Sequence, residues 1–214
     1  MNSDKDPRNK VGAGRPASTF SRMERMPPMQ MLLYLSMIAS TVLFVVLATA
    51  YAQTRFNSAM PQGMHPFPRY FSISTIVLLV SSYTISQARR LYQQDDVSML
   101  TRCLGATLLL AAIFVGLQGL GWRELIAQGV FFNGEASGTY VYLLSALHIL
   151  HLLGGVLFLM ILFLRTAHAA RDGVRTLVFI RNPYRRRQIQ MLGLYWHFLD
   201  GLWVALFALF LFLY

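Results

Sequence analysis

Charged residues divide this chain into gaps long enough to cross a bilayer. No Asp, Glu, Lys or Arg stands between Arg25 and Arg55, Arg69 and Arg89, Arg102 and Arg123, or Glu135 and Arg165, and Asp200 is the one charge after Arg187. A hydrocarbon core of about 30 Å takes about 20 apolar residues in helical form. No stretch shows the short alternating strands of a membrane barrel. The expected fold is an all-α integral membrane protein with five transmembrane helices near 29–52, 70–88, 103–122, 140–164 and 191–214. A hydrophobic share of 55% against 13% charged extends that conclusion to the whole chain rather than to one anchor.

The first segment invites a rival reading, because a basic stretch precedes it and Ala50-Tyr51-Ala52 mimics a signal-peptidase site. Its apolar run exceeds the roughly 7–15 residues of a signal h-region, so a retained helix is expected. Sixteen of the nineteen basic residues fall before the first segment, between the second and third, or between the fourth and fifth. The positive-inside rule therefore predicts a cytoplasmic N-terminus and a C-terminus outside. Topology and anionic lipid account for the net charge of +10, with no need of nucleic acid as a partner. Arg185, Arg186 and Arg187 read either as topology determinants or as a lipid head-group site. Cys103 stands alone, which excludes an intrachain disulfide and leaves a small packing residue.

Residues 1–28, rich in Gly, Pro and charge, read as a flexible cytoplasmic leader, and 29–214 as one membrane domain. Pro61, Pro66 and Pro68 interrupt helix after the first segment. Gln93-Gln94-Asp95-Asp96 predicts an antiparallel hairpin of the second and third helices, and 129–138 a turn-rich external connection. Leu177-Val178-Phe179-Ile180 reads as a short interfacial piece. Ser74, Ser81 and Ser82 equip the second helix for interhelical hydrogen bonds. Gly193, His197 and Gly201 recur every four residues, a small-residue face that lets a neighbouring backbone come close. Gly116, Gly119, Gly154 and Gly155 offer similar grooves.

An ionised Asp at mid-bilayer costs about 2.5–3.5 kcal/mol on insertion scales, so Asp200 is expected to face a partner. At 1.5 Å per residue, His148 lies about 12 Å into the fourth segment and Asp200 about 14 Å into the fifth. His151 and His197 lie one turn from each. Four readings of this set stand open on the residues alone: a satisfied interhelical network, a haem held by His148 or His151 with His197, a proton relay, and a contribution to a metal site from His148-x-x-His151. A continuous relay has little to work with, since no second Asp or Glu lies in any segment. Trp196 and Trp203 flank the polar pair, and packing within the bundle is the expected role for both.

Tyr195-Trp196-His197-Phe198-Leu199-Asp200-x-x-Trp203 resembles the final-helix signature of subunit III of the haem–copper oxidases, the cytochrome c and quinol oxidases. Ala146-Leu147-His148-Ile149-Leu150-His151-Leu152-Leu153-Gly154-Gly155 is similar to that family's paired-His helix. Leu117-Gln118 with Trp122 and Glu124, Ser74-Thr75 through Ser81-Ser82, and Ser40-Thr41-Val42-Leu43-Phe44 resemble the three preceding helices. The likeness runs from residue 29 to the C-terminus. It resembles the five-helix form, which lacks the first two of the seven helices common in the family. Thr41 and Gly121 stand where the family often has an intramembrane Glu, and Gln190 lies near a third such position. Roles that depend on those carboxylates, such as assisting proton uptake, do not carry over.

The resemblance implies a non-catalytic accessory subunit that packs against oxidase subunits I and II and holds structural phospholipid in a groove. It also implies protection of the oxidase during turnover and a route for oxygen through that groove. No cofactor is expected on this chain, haem and copper belonging to the partner subunits, and His148, His151, His197 and Asp200 become a structural network. A larger respiratory supercomplex is compatible with this. A subunit III-like partner of a nitric oxide reductase, or an independent b-type cytochrome, are the alternatives.

Overall fold

In the computed structural model, which describes residues 27–57, 67–132 and 136–213, every element is a helix. They are α1 (Pro28–Asn57), α2 (Arg69–Gln93), α3 (Val97–Ala127), α4 (Ala136–Ala169), α5 (Gly173–Arg181) and α6 (Pro183–Leu213). All but the nine-residue α5 are long and apolar enough to cross a membrane. The leader through residue 26 and the stretch holding Pro61 and Pro66 lie outside the described residues.

Nearly every long helix overruns the gap that predicts it, because a helix need not stop where the hydrocarbon does. The clearest case is α6, which starts at Pro183 rather than at 191. Proline suits a first helical position, where its missing N–H would find no intrahelical partner. The side chain of Asn182 caps the new end, its Oδ1 accepting from the Tyr184 amide at 3.0 Å. Arg185, Arg186 and Arg187 therefore sit on the first turns of α6, not in a loop. Between α2 and α3, Asp95 takes the left-handed conformation (φ 59°), and Asp96 caps α3 by accepting from Met99 N at 2.9 Å. The expected hairpin follows.

Helices α2, α3, α4 and α6 close into a ring, each packed against the next. The shorter α5 lies against α4 and α6. Tyr92 anchors it from α2, with its hydroxyl 2.9 Å from the Ile180 carbonyl and its ring 6.1 Å from that of Phe179. Helix α1 sits outside the ring on α4 and α6. It buries only a narrow stripe of Ser40, Phe44, Tyr51 and Arg55. Arg55 Nε donates to the Leu213 carbonyl at 2.7 Å, tying the end of α1 to the end of α6. A cation there complements the negative end of the helix dipole.

Candidate functional site

The polar centre of the bundle is organised by α6. Its two tryptophans are fully buried, and each reaches a hydroxyl on α2: Trp196 Nε1 donates to Ser81 Oγ at 3.2 Å, and Trp203 Nε1 to Thr75 Oγ1 at 3.0 Å. The same logic ties α3 to its neighbours. Gln118 Nε2 donates to Ser74 Oγ at 2.8 Å, and Trp122 Nε1 to Ser145 Oγ of α4 at 3.0 Å. Such interhelical bonds in membranes average about 0.6 kcal/mol, so their value lies in fixing rotation and register as well as in energy.

The histidines and Asp200 do not join into one network. His148 has no exposed surface and lies among aromatic rings, 5.0 Å from Trp203 and 5.9 Å from Phe114 between centroids. Neither ring nitrogen has a hydrogen-bond partner among the described residues. His151 donates from Nδ1 to its own helix at Leu147 O (2.8 Å) and packs edge-on against Phe44 of α1. His197 points elsewhere, with Nδ1 2.8 Å from Ser82 Oγ and 3.9 Å from Asp200 Oδ2. Asp200 is buried, and its oxygens have no hydrogen-bond partner among the described residues. Ser82 and Asp200 thus approach the same nitrogen of His197. A nucleophilic triad would place its acid and its serine on opposite nitrogens of the imidazole. Among the described residues, no group of three or more His, Cys, Asp or Glu is arranged to hold a metal.

The glycines divide into two kinds. A Cβ on Gly121 would stand 2.6 Å from the Phe71 ring, and one on Gly155 3.1 Å from Tyr195, so the first lets α3 approach α2 and the second lets α4 approach α6. Gly154 is in ordinary reach of the Tyr195 hydroxyl, at 3.9 Å. At Gly193, Gly201, Gly116 and Gly119 nothing among the described residues lies within 4 Å of such a Cβ. The close approach expected on the Gly193–His197–Gly201 face is therefore not made among the described residues. His197 and Gly201 of that face instead line one side of a cleft of about 450 Å³ between α6 and α1. Thr41, Phe44 and Ala48 line it from α1, with His197, Gly201 and Ala205 opposite. The Thr41 hydroxyl is turned back onto its own helix at Met37 O (2.8 Å), which leaves His197 as the polar group facing the cleft.

At the other end of α6, Arg186 and Arg187 are exposed, whereas Arg185 is half-buried, lying 5.7 Å over the Phe179 ring and donating to Gln188 Oε1 at 2.7 Å. Four contacts are not foreseen from the sequence: Phe114 beside His148, Thr75 as acceptor of Trp203, Tyr195 against Gly155, and Arg55 on the end of α6. A period of 3.6 residues tells which side a residue is on, not which helix faces it. Only Arg55 carried a signal, as a charge one turn past an apolar run.

Against known proteins, the sequence profile of the family described as Cytochrome c oxidase subunit III matches residues 28–214, from the first helix through the last. The chain is 31% identical over 134 residues to the probable cytochrome c oxidase subunit 3 of Nocardia farcinica, covering 63% of this chain and 61% of that one. It is 29% identical over 177 residues to the cytochrome bo(3) ubiquinol oxidase subunit 3 of Pseudomonas aeruginosa, covering 82% and 80%. The cytochrome c oxidase subunit 3 of Bacillus sp. PS3 is 29% identical over 171 residues, covering 78% and 77%. The first of these alignments takes in less than two thirds of the relative's own length. With a profile match that embraces all five membrane helices, the chain belongs to the subunit III family of the haem–copper oxidases.

Proposed function

We propose that this chain is the accessory subunit III of a respiratory haem–copper oxidase in a bacterial cytoplasmic membrane. The N-terminus would lie in the cytoplasm and the last turn of α6 in the periplasm. The observation that carries the reading is the profile match over residues 28–214. A supporting role agrees with the buried Trp196, Trp203 and Gln118, which bond helix to helix. In this reading the chain packs on subunits I and II, which hold the haem and copper. It steadies subunit I during turnover and keeps an acyl chain ordered in the cleft between α1 and α6. Oxygen partitions into apolar surroundings, so the same cleft serves as its path toward the catalytic subunit.

The test is a mild-detergent pull-down of the tagged chain from native membranes, with haem spectra and mass spectrometry on the eluate. Co-elution with oxidase subunits I and II supports the reading. Recovery with the subunits of a nitric oxide reductase, or as a red chain without partners, replaces it.

A further inference from the structure

His197 turns its ring out of the bundle and into the α1–α6 cleft, with its side chain 47% exposed. Its Nδ1 is already engaged, 2.8 Å from Ser82 Oγ of α2 and 3.9 Å from Asp200 Oδ2. Nε2, on the other side of the imidazole, has no hydrogen-bond partner among the described residues. The Ser82 hydroxyl can rotate, which gives the pair two arrangements. When Nδ1–H donates to Ser82 Oγ, Nε2 presents a lone pair; when the Ser82 hydroxyl donates to Nδ1, Nε2–H becomes a donor. The cleft therefore offers one hydrogen-bonding point that can meet either a hydroxyl or a carbonyl.

The walls around this point are aromatic and apolar. Phe44 of α1 and Phe198 of α6 line the cleft with His197, and Gly201 leaves the space one turn further along unfilled. Ala48, Ala205 and Leu209 continue the lining. Residues 197–209 span about 18 Å of helix at 1.5 Å per residue. At about 450 Å³ the cleft has the size of a small-molecule site, and it has the usual character of one, apolar with a single placed polar group. Val45 at its edge is exposed, so entry is sideways from the hydrocarbon. A saturated acyl chain would fill the apolar length and leave Nε2 unpaired, which is costly away from water. A flat ring carrying oxygens satisfies Nε2 and packs against the phenyl rings, while an alkyl tail takes the remainder.

We propose that the α1–α6 cleft binds a lipid-soluble quinone, one ring oxygen on His197 Nε2 and the tail running along Ala48, Ala205 and Leu209. The quinol form donates its hydroxyl to the lone pair, and the quinone form accepts from Nε2–H. Binding alone is assigned, with no electron passing through this chain. The site deepens the lipid-holding part of the proposed function, the quinone exchanging with the acyl chain there, and rests on that reading only in facing the bilayer.

The experiment is photolabelling of the tagged chain with its partners in nanodiscs, using an azido-benzoquinone with a decyl tail. Labelled peptides of this chain are then counted by mass spectrometry. Expected is label concentrated on residues 197–209, displaced by decylubiquinone but not by decanol, which brings a hydroxyl and a chain without the ring. Gly201→Leu, whose Cβ meets no described atom within 4 Å, should abolish the label by filling the cleft. His197→Leu should weaken it about fivefold, as the loss of one hydrogen bond does. Gly193→Leu makes the same change on α6 outside the cleft and should label as wild type. Label spread evenly over the lipid-facing helices, equal displacement by decanol, unchanged label in Gly201→Leu or His197→Leu, or an equal loss in Gly193→Leu each overturns the proposal. Co-elution of subunits I and II is read on the same samples. Their absence would count against the accessory role and leave the label readable on the chain itself.

Discussion

His148 is held by rings rather than by hydrogen bonds, with Phe114 and Trp203 against it and no partner for either nitrogen among the described residues. Replacing an unpaired buried polar group by an apolar one of similar shape is close to neutral, whereas truncation leaves a cavity. His148→Leu is therefore expected to keep thermal stability in nanodiscs within about 1 kcal/mol of wild type. His148→Ala should cost about 2–4 kcal/mol. A collapse of the Leu variant together with loss of a haem band would reinstate His148 as an axial ligand. The sequence places this histidine deep in its helix by simple counting, but its surroundings come from α3 and α6, which periodicity cannot pair. For the same reason the resemblance implies a single His148–His151–His197–Asp200 network while the described residues make separate contacts. Residues one turn apart along a helix point to different neighbours as soon as three helices surround them.

At the level of the helices, two seams invite measurement. Gly121 lets α3 lie against the Phe71 ring of α2, and a Cβ there would stand at 2.6 Å. Gly121→Ala should destabilise the α2–α3 pair by about 1–3 kcal/mol, the usual range for overpacking. Phe71→Leu in the same chain should recover part of that loss, a coupling that a double-mutant cycle reads directly. This also gives a physical sense to the absence of a Glu at position 121, since any side chain there must first displace Phe71. The second seam is Arg55 on the last turn of α6. Arg55→Met is expected to cost about 1–2 kcal/mol. Amide exchange should then quicken in the final turns of both α1 and α6; quickening in α1 alone would refute the cap. Five helices were legible because charge is excluded from hydrocarbon. Their ends were not, because capping by Asn182 and the fit of Pro183 to a first turn operate outside the hydrocarbon, where apolar content no longer speaks.

Across the whole molecule, stability is uneven. The ring of α2, α3, α4 and α6 shares indole, hydroxyl and amide bonds, while α1 rests on a narrow stripe against α4 and α6. Local opening follows contact density, so α1 is expected to exchange its amides first in the isolated chain. Incorporation into an oxidase complex should protect α1 more than any ring helix, if partner subunits or lipid cover the α1–α6 cleft; uniform protection would place the interface elsewhere. The contacts of α6 also bear on how the protein is made. Helix α6 follows all the others in chain order, yet it touches every one of them, reaching α3 through Phe114 and Trp203. Until it enters the bilayer, Ser81 and Thr75 lack their indole donors and α1 has only α4 to rest on. The α2–α3 and α3–α4 seams can form before it arrives, so the last helix to be made is the one that closes the ring.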